Sequence, residues 1–165
     1  EFRTFCREDI FLIVGPSHDF ANRETVTFEE MAREPIIMRD KGSATRRFVD
    51  EIFSSRHCKP NILLVSENID FIKNVVSRGR GITFLSNEAT SNELKEKNLI
   101  AVPVEGHFYS IDQVIAHLRD QPLSPNCRAF IECIVHKFLK NGEPFKSLSE
   151  ARAVIRKMRK NTAQE

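Results

Sequence analysis

The residue types best suited to hold a small charged solute gather in two short stretches of the chain, 41–46 and 66–68. In the first, Ser43 and Thr45 offer short hydroxyls, and Lys41 and Arg46 offer positive charge, a combination that suits a carboxylate or phosphate through charge-assisted hydrogen bonds. Both stretches fall where a strand hands over to a helix, and there free backbone N–H groups and the helix dipole favour an anion. A plainer reading stands beside this one: Ser43 only caps its helix and the arginines are solvated.

Chemistry beyond binding finds little support. No Gly-x-Ser-x-Gly elbow or His-Glu-x-x-His pair is present, and His57 and Cys58 are adjacent, so their side chains diverge on a helix or a strand alike. Cys6, Cys58, Cys127 and Cys133 and the scattered His18, His107, His117 and His136 lack the spacing of a metal site, so no metal, cofactor or catalytic residue is expected. Gly79-Arg80-Gly81 follows a helix and precedes a strand. A phosphate-binding glycine loop runs in the opposite order, so this one reads as a helix C-cap and a turn with positive φ.

The 165 residues, 41% hydrophobic and 29% charged, suit one ordinary globular core. A net charge of +2 does not call for a polyanionic partner, and without a disulfide framework a reducing, cytoplasmic setting is the simpler expectation. No apolar run approaches a membrane span.

The elements that must position the polar stretches read as alternating strands and helices. Residues 10–14 form an apolar run closed by Gly15-Pro16; Thr27 and Glu30 form a capping box; residues 36–38 give a second strand. Ser43 then caps a helix with Ala44, Phe48, Ile52 and Phe53 as its apolar face, followed by a strand at 61–65. Ile69, Ile72, Val75 and Val76 make an amphipathic helix, and residues 82–85 a buried strand. This alternation predicts a parallel sheet. A short helix near 93–97, a strand at 99–104, an extended segment at 108–118 and a helix N-capped by Ser124 with Pro125 at N1 complete the main body. A last helix is signalled by Ser147 and Glu150, with Ala151, Val154, Ile155 and Met158 as its stripe. Its basic residues, Arg152, Arg156, Arg159 and Lys160, are explained by a solvated amphipathic helix as well as by nucleic acid.

The helix ending Val75-Val76-Ser77-Arg78-Gly79-Arg80-Gly81-Ile82 and running into Phe84-Leu85-Ser86 resembles a segment of the effector-binding domain of LysR-type transcriptional regulators. Upstream, Gly15-Pro16-Ser17-His18-Asp19-Phe20-Ala21 is similar to the family's "His-Pro-Leu-Ala" turn, with Asp19 and Phe20 departing from it, and Phe28-Glu29-Glu30-Met31-Ala32 stands at its next helix. The resemblance implies an α/β fold of the type 2 periplasmic-binding-protein kind, a mostly parallel sheet flanked by helices. It assigns residues 1–15 and 121–141 to remnants of a first subdomain, 16–120 to a complete second subdomain, and 142–165 to a basic extension. It further implies a small-molecule effector, an anion by the residues above, in a cleft touched by Ser43, Thr45, Arg46 and Asn74, with Phe84 as an apolar wall. DNA would be contacted only through a module outside this chain. The first-subdomain pieces would expose a strand edge and an apolar helix stripe, so they are expected to pack on one another, on the C-terminal helix or on another chain, the last giving a homo-oligomer. A solute-binding receptor of the same fold is the alternative.

Overall fold

A computed structural model describes residues 2–105, 109–118 and 121–140. Two compact units divide the chain, one of residues 8–111 and one of residues 1–7 with 112–165. The expected helix after Ser147 lies outside the described residues, as does Phe108.

The 8–111 unit is built on two strand–helix–strand steps. β2 (Ile36–Arg39) leads through α2 (Ala44–Ser55) to β3 (Ile62–Ser66), which pairs with β2 in parallel with Met38 opposite Val65 and Arg39 opposite Ser66. α3 (Ile69–Ser77) then leads to β4 (Thr83–Ser86) on the other side of β2. There Ile37 N–H donates to Ile82 O at 2.8 Å, Ile82 N–H donates to Pro35 O at 2.9 Å, and the buried Thr83 hydroxyl donates to Ile37 O at 2.7 Å. Strand β1 (Phe2–Val14) lies antiparallel between β4 and β5 (Ile100–Val102), with Leu12 opposite both Phe84 and Val102. The resulting order is β3, β2, β4, β1, β5, with β2, β3 and β4 parallel as the alternation predicts.

The period-2 geometry of these strands sorts the core onto two faces. On one face, Ile10, Leu12, Val14, Ile36, Met38 and Phe84 pack with α1 (Phe28–Arg33) and α2; on the other, Ile13, Ile37 and Leu85 pack with Ile72 and Val76 of α3. Residues 10–14 of β1, implied above as a remnant of a first subdomain, group here with the 8–111 unit. Their alternating side chains supply both cores of the 8–111 unit.

The glycine turn after α3 is as the sequence predicts. Gly79 and Gly81 have φ of +71° and +115°. A Cβ on Gly81 would lie 2.3 Å from Pro35 O, so the turn also lets β4 start close beside β2.

Two helices differ from expectation. Where a helix near 93–97 is predicted, α4 spans Asn87–Lys95, because the Ser86 hydroxyl at the end of β4 accepts from Ala89 N–H and starts it earlier. Along α2 the buried residues are Arg46, Val49 and Phe53, while Ala44 is exposed and Phe48 and Ile52 are half-buried. The helix is rotated from the face its apolar residues suggest, because an arginine takes a core-facing position.

In the other unit, Arg7 Nε donates to Asp112 Oδ1 at 2.9 Å, joining β1 to β6 (Tyr109–Ala116). Helix α5 (Pro125–Lys140) begins as expected, with the Ser124 hydroxyl accepting from Cys127 N–H at 3.2 Å.

Candidate functional site

The pairing of Arg39 with Ser66 sets the C-terminal ends of β2 and β3 side by side, and each strand is followed within a few residues by a helix N-terminus. The polar stretches at 41–46 and 66–68 therefore sit beside one another at one end of the sheet. Each helix is capped by a short side chain. Ser43 Oγ accepts from Arg46 N–H at 3.3 Å, and Asn68 Oδ1 accepts from Phe71 N–H at 3.0 Å. One cap satisfies one orphan donor, so the N–H groups of Ala44 and Thr45 still have no carbonyl of their own helix to reach.

The loop before α2 is held from within. Asp40 accepts from Gly42 N–H at 3.1 Å and from an Arg39 Nη at 3.3 Å. Arg46, 8% exposed, donates through Nε to both oxygens of Asp50 at 3.0 and 2.9 Å and through Nη1 to Arg39 O at 3.2 Å. It ties the first turn of α2 to the end of β2, so its guanidinium already has partners where the sequence reading gave it to a solute.

Of the other expected site residues, Ser43 and Thr45 share this turn and are half-buried. Asn74 lies exposed on α3. Phe84 is 2% exposed inside the core, where its ring meets that of Tyr109 at 6.2 Å. The resemblance implies it as an apolar wall of the cleft; on β4 it is turned to the same core as Leu12 and Met38. Sequence reasoning missed Arg39, whose Nε is buried without a hydrogen-bond partner among the described residues. Its signal was its place, the last residue of a strand before a polar loop.

Charge distinguishes the two helix ends. Lys41 and Arg47 flank the α2 end and Asp40 is already paired, whereas Glu67 and Asp70 flank the α3 end. An anion fits the α2 end and a hydrogen-bond donor the α3 end. Farther off, an apolar cavity of about 240 Å3 lies between residues 10–12 and 101–104, beside Tyr109. Among the described residues that line it, none is charged.

With that geometry in view, residues 1–139 match the model of the LysR substrate binding domain. The chain belongs to this family. Among LysR-type relatives it is 30% identical over 116 residues to the transcriptional activator CmpR of Synechocystis, covering 67% of this chain and 38% of that protein. It is 34% identical over 151 residues to a probable RuBisCO transcriptional regulator of Cyanidium caldarium, covering 86% and 47%. The chain thus spans less than half the length of these curated relatives. Among solved structures, it is similar to the regulatory domain of Synechocystis CcmR in complex with 2-PG, with a TM-score of 0.75 and 22% identity over 83% of this chain and 66% of that one. It is also similar to the effector-binding domain of QuiR in complex with shikimate, with a TM-score of 0.69, 20% identity and coverage of 85% and 66%. These likenesses establish the type 2 periplasmic-binding-protein-like α/β fold of LysR effector domains.

Proposed function

We propose that this chain carries effector recognition for a LysR-type transcriptional regulator, taking an anionic small molecule at the α2 end of its sheet and performing no chemistry on it. The observation that carries the reading is the juxtaposition of two capped helix N-termini at the paired strand ends Arg39 and Ser66. Ser43, Thr45 and the first-turn N–H groups would receive the anionic group, and Asn74 would be a polar contact on the facing side of the solute. The carboxylate and phosphate of 2-PG, and the carboxylate of shikimate, are anions of the kind this end of α2 suits.

The relatives named above are regulators, which favours this reading over a solute receptor or an enzyme. DNA contact belongs to a module outside these 165 residues, and the setting is the cytoplasm. Calorimetric titration of the chain with 2-phosphoglycolate and with shikimate tests the reading. Saturable binding that Ser43→Ala and Thr45→Ala weaken, with the compound recovered unaltered, supports it. Heat that is absent for both compounds, binding indifferent to both substitutions, or a chemically changed compound overturns it.

A further inference from the structure

Two arginines bracket the loop between β2 and α2, and their charges are met unequally. Arg46 has both oxygens of Asp50 for its Nε and the carbonyl of Arg39 for its Nη1. Arg39, the last residue of β2, makes one side-chain bond among the described residues, from Nη2 to Asp40 Oδ1 at 3.3 Å. Its side chain is only 20% exposed, and its Nε is buried without a partner among the described residues. A guanidinium so far removed from water is ordinarily matched by closer bonds to an anion, of about 2.7–2.9 Å.

The unmet group belongs to a definite shape. Nε and Nη2 lie on one edge of the guanidinium and point their N–H bonds the same way, the fork that takes two oxygens of a carboxylate or a phosphate. Asp40 fills half of it. Its other oxygen, Oδ2, accepts from Gly42 N–H at 3.1 Å, so this carboxylate holds the loop and spans the fork only in part.

We propose that Arg39 selects for an oxyanion at the α2 end and that Asp40 is its built-in competitor. This rests on the reading of that end as the effector site. A carboxylate or phosphate arriving beside Ser43 and Thr45 takes Nε and Nη2 together, and Asp40 gives up Nη2 while keeping Gly42 N–H. Nε, closed off while Asp40 holds its neighbour, opens as that carboxylate gives way. A ligand that makes both bonds of the fork displaces Asp40, and a neutral solute gains nothing by doing so.

Calorimetric titration with 2-phosphoglycolate, shikimate and inorganic phosphate tests this, with circular dichroism to check the fold. Arg39→Lys keeps the charge and loses the fork, and it weakens binding at least about tenfold. Asp40→Asn, whose amide oxygen still accepts from Gly42 N–H, tightens binding about threefold. In the double variant that gain vanishes, because no fork is left for Asp40 to occupy. Shikimate offers a carboxylate alone and inorganic phosphate a phosphate alone, so the compounds separate the two sources of the oxyanion. Arg39→Lys binding like wild type, Asp40→Asn binding no tighter, or a gain that survives in the double variant overturns the proposal, while weaker binding by Ser43→Ala and Thr45→Ala still upholds the effector reading. Where neither organic acid binds, the effector reading falls and inorganic phosphate decides the role of Arg39 alone. Its Nε–H signal in nitrogen-15 NMR is identified by its loss in Arg39→Lys. Phosphate that shifts this signal further in Asp40→Asn than in wild type sustains the proposal, and any other behaviour of the signal overturns it.

Discussion

Arg46 and Asp50 are bound side by side one helical turn apart, Nε reaching both carboxylate oxygens at 3.0 and 2.9 Å, while Nη1 holds the carbonyl of Arg39. The pair fixes where α2 begins relative to the end of β2. Removing Asp50 leaves a nearly buried guanidinium with one partner fewer. Because Asp50 is itself 47% exposed, the cost of Asp50→Ala is placed at about 1–2 kcal/mol, below that of a fully buried pair. Urea unfolding measures it. An unchanged midpoint would return Arg46 to the list of side chains free to meet a solute.

Asn74 and Phe84, joined in the sequence reading, part company here. Phe84→Ala removes a ring from the centre of the core and is expected to cost about 3–5 kcal/mol. Asn74→Ala, on an exposed helix face, is expected to stay within about 0.5 kcal/mol of wild type while weakening effector binding. Thermal unfolding and calorimetric titration of the two variants separate the roles.

Gly81→Ala is expected to destabilise by more than about 2 kcal/mol, since φ of +115° strains any L side chain and the new Cβ meets Pro35 O. The readout is the urea midpoint. A neutral substitution would mean that β2 and β4 can part without loss.

Lys73 joins α3 to α4, with Nζ 2.6 Å from Glu93 Oε1 and 3.0 Å from Asp70 Oδ1. The hydrogen bond from Lys73 lowers the Glu93 carboxyl below its usual 4.5, and the bond to Glu93 raises the Lys73 ammonium above 10.5. A lowered carboxyl stabilises the fold above its unfolded value and loses that contribution as pH falls through the folded one; a raised ammonium loses its contribution only as pH climbs past 10.5. The clamp is therefore intact at neutral pH and fails on the acid side below 4.5. The difference in Tm between wild type and Lys73→Met should shrink from neutral pH to about pH 3. A difference that stays constant would show that the contact contributes through packing alone.

The parallel steps were legible because caps and periodicity agree at Ser43 and the glycine turn, each a local signal. What escaped was set by tertiary partners. Arg46 enters a core-facing position because Asp50 and the Arg39 carbonyl receive its charge, and no apolar count along α2 could show that. Residues 10–14 read correctly as a buried strand, yet the unit they serve depends on pairing with β4 and β5, far along the chain. Ser43 and Thr45 were visible as a polar pair from spacing alone, whereas the orphaned Nε of Arg39 needed three dimensions.

That long-range pairing sets an order of events during synthesis. The strand made first fills the slot between two made much later, so apolar residues 10–14 must wait unmatched until residues 83–86 and 100–102 leave the ribosome. Contacts this distant in sequence slow folding and leave sticky surface open meanwhile. A nascent chain halted before residue 83 therefore carries an unplaced hydrophobic strand, which makes its early history a matter for chaperones.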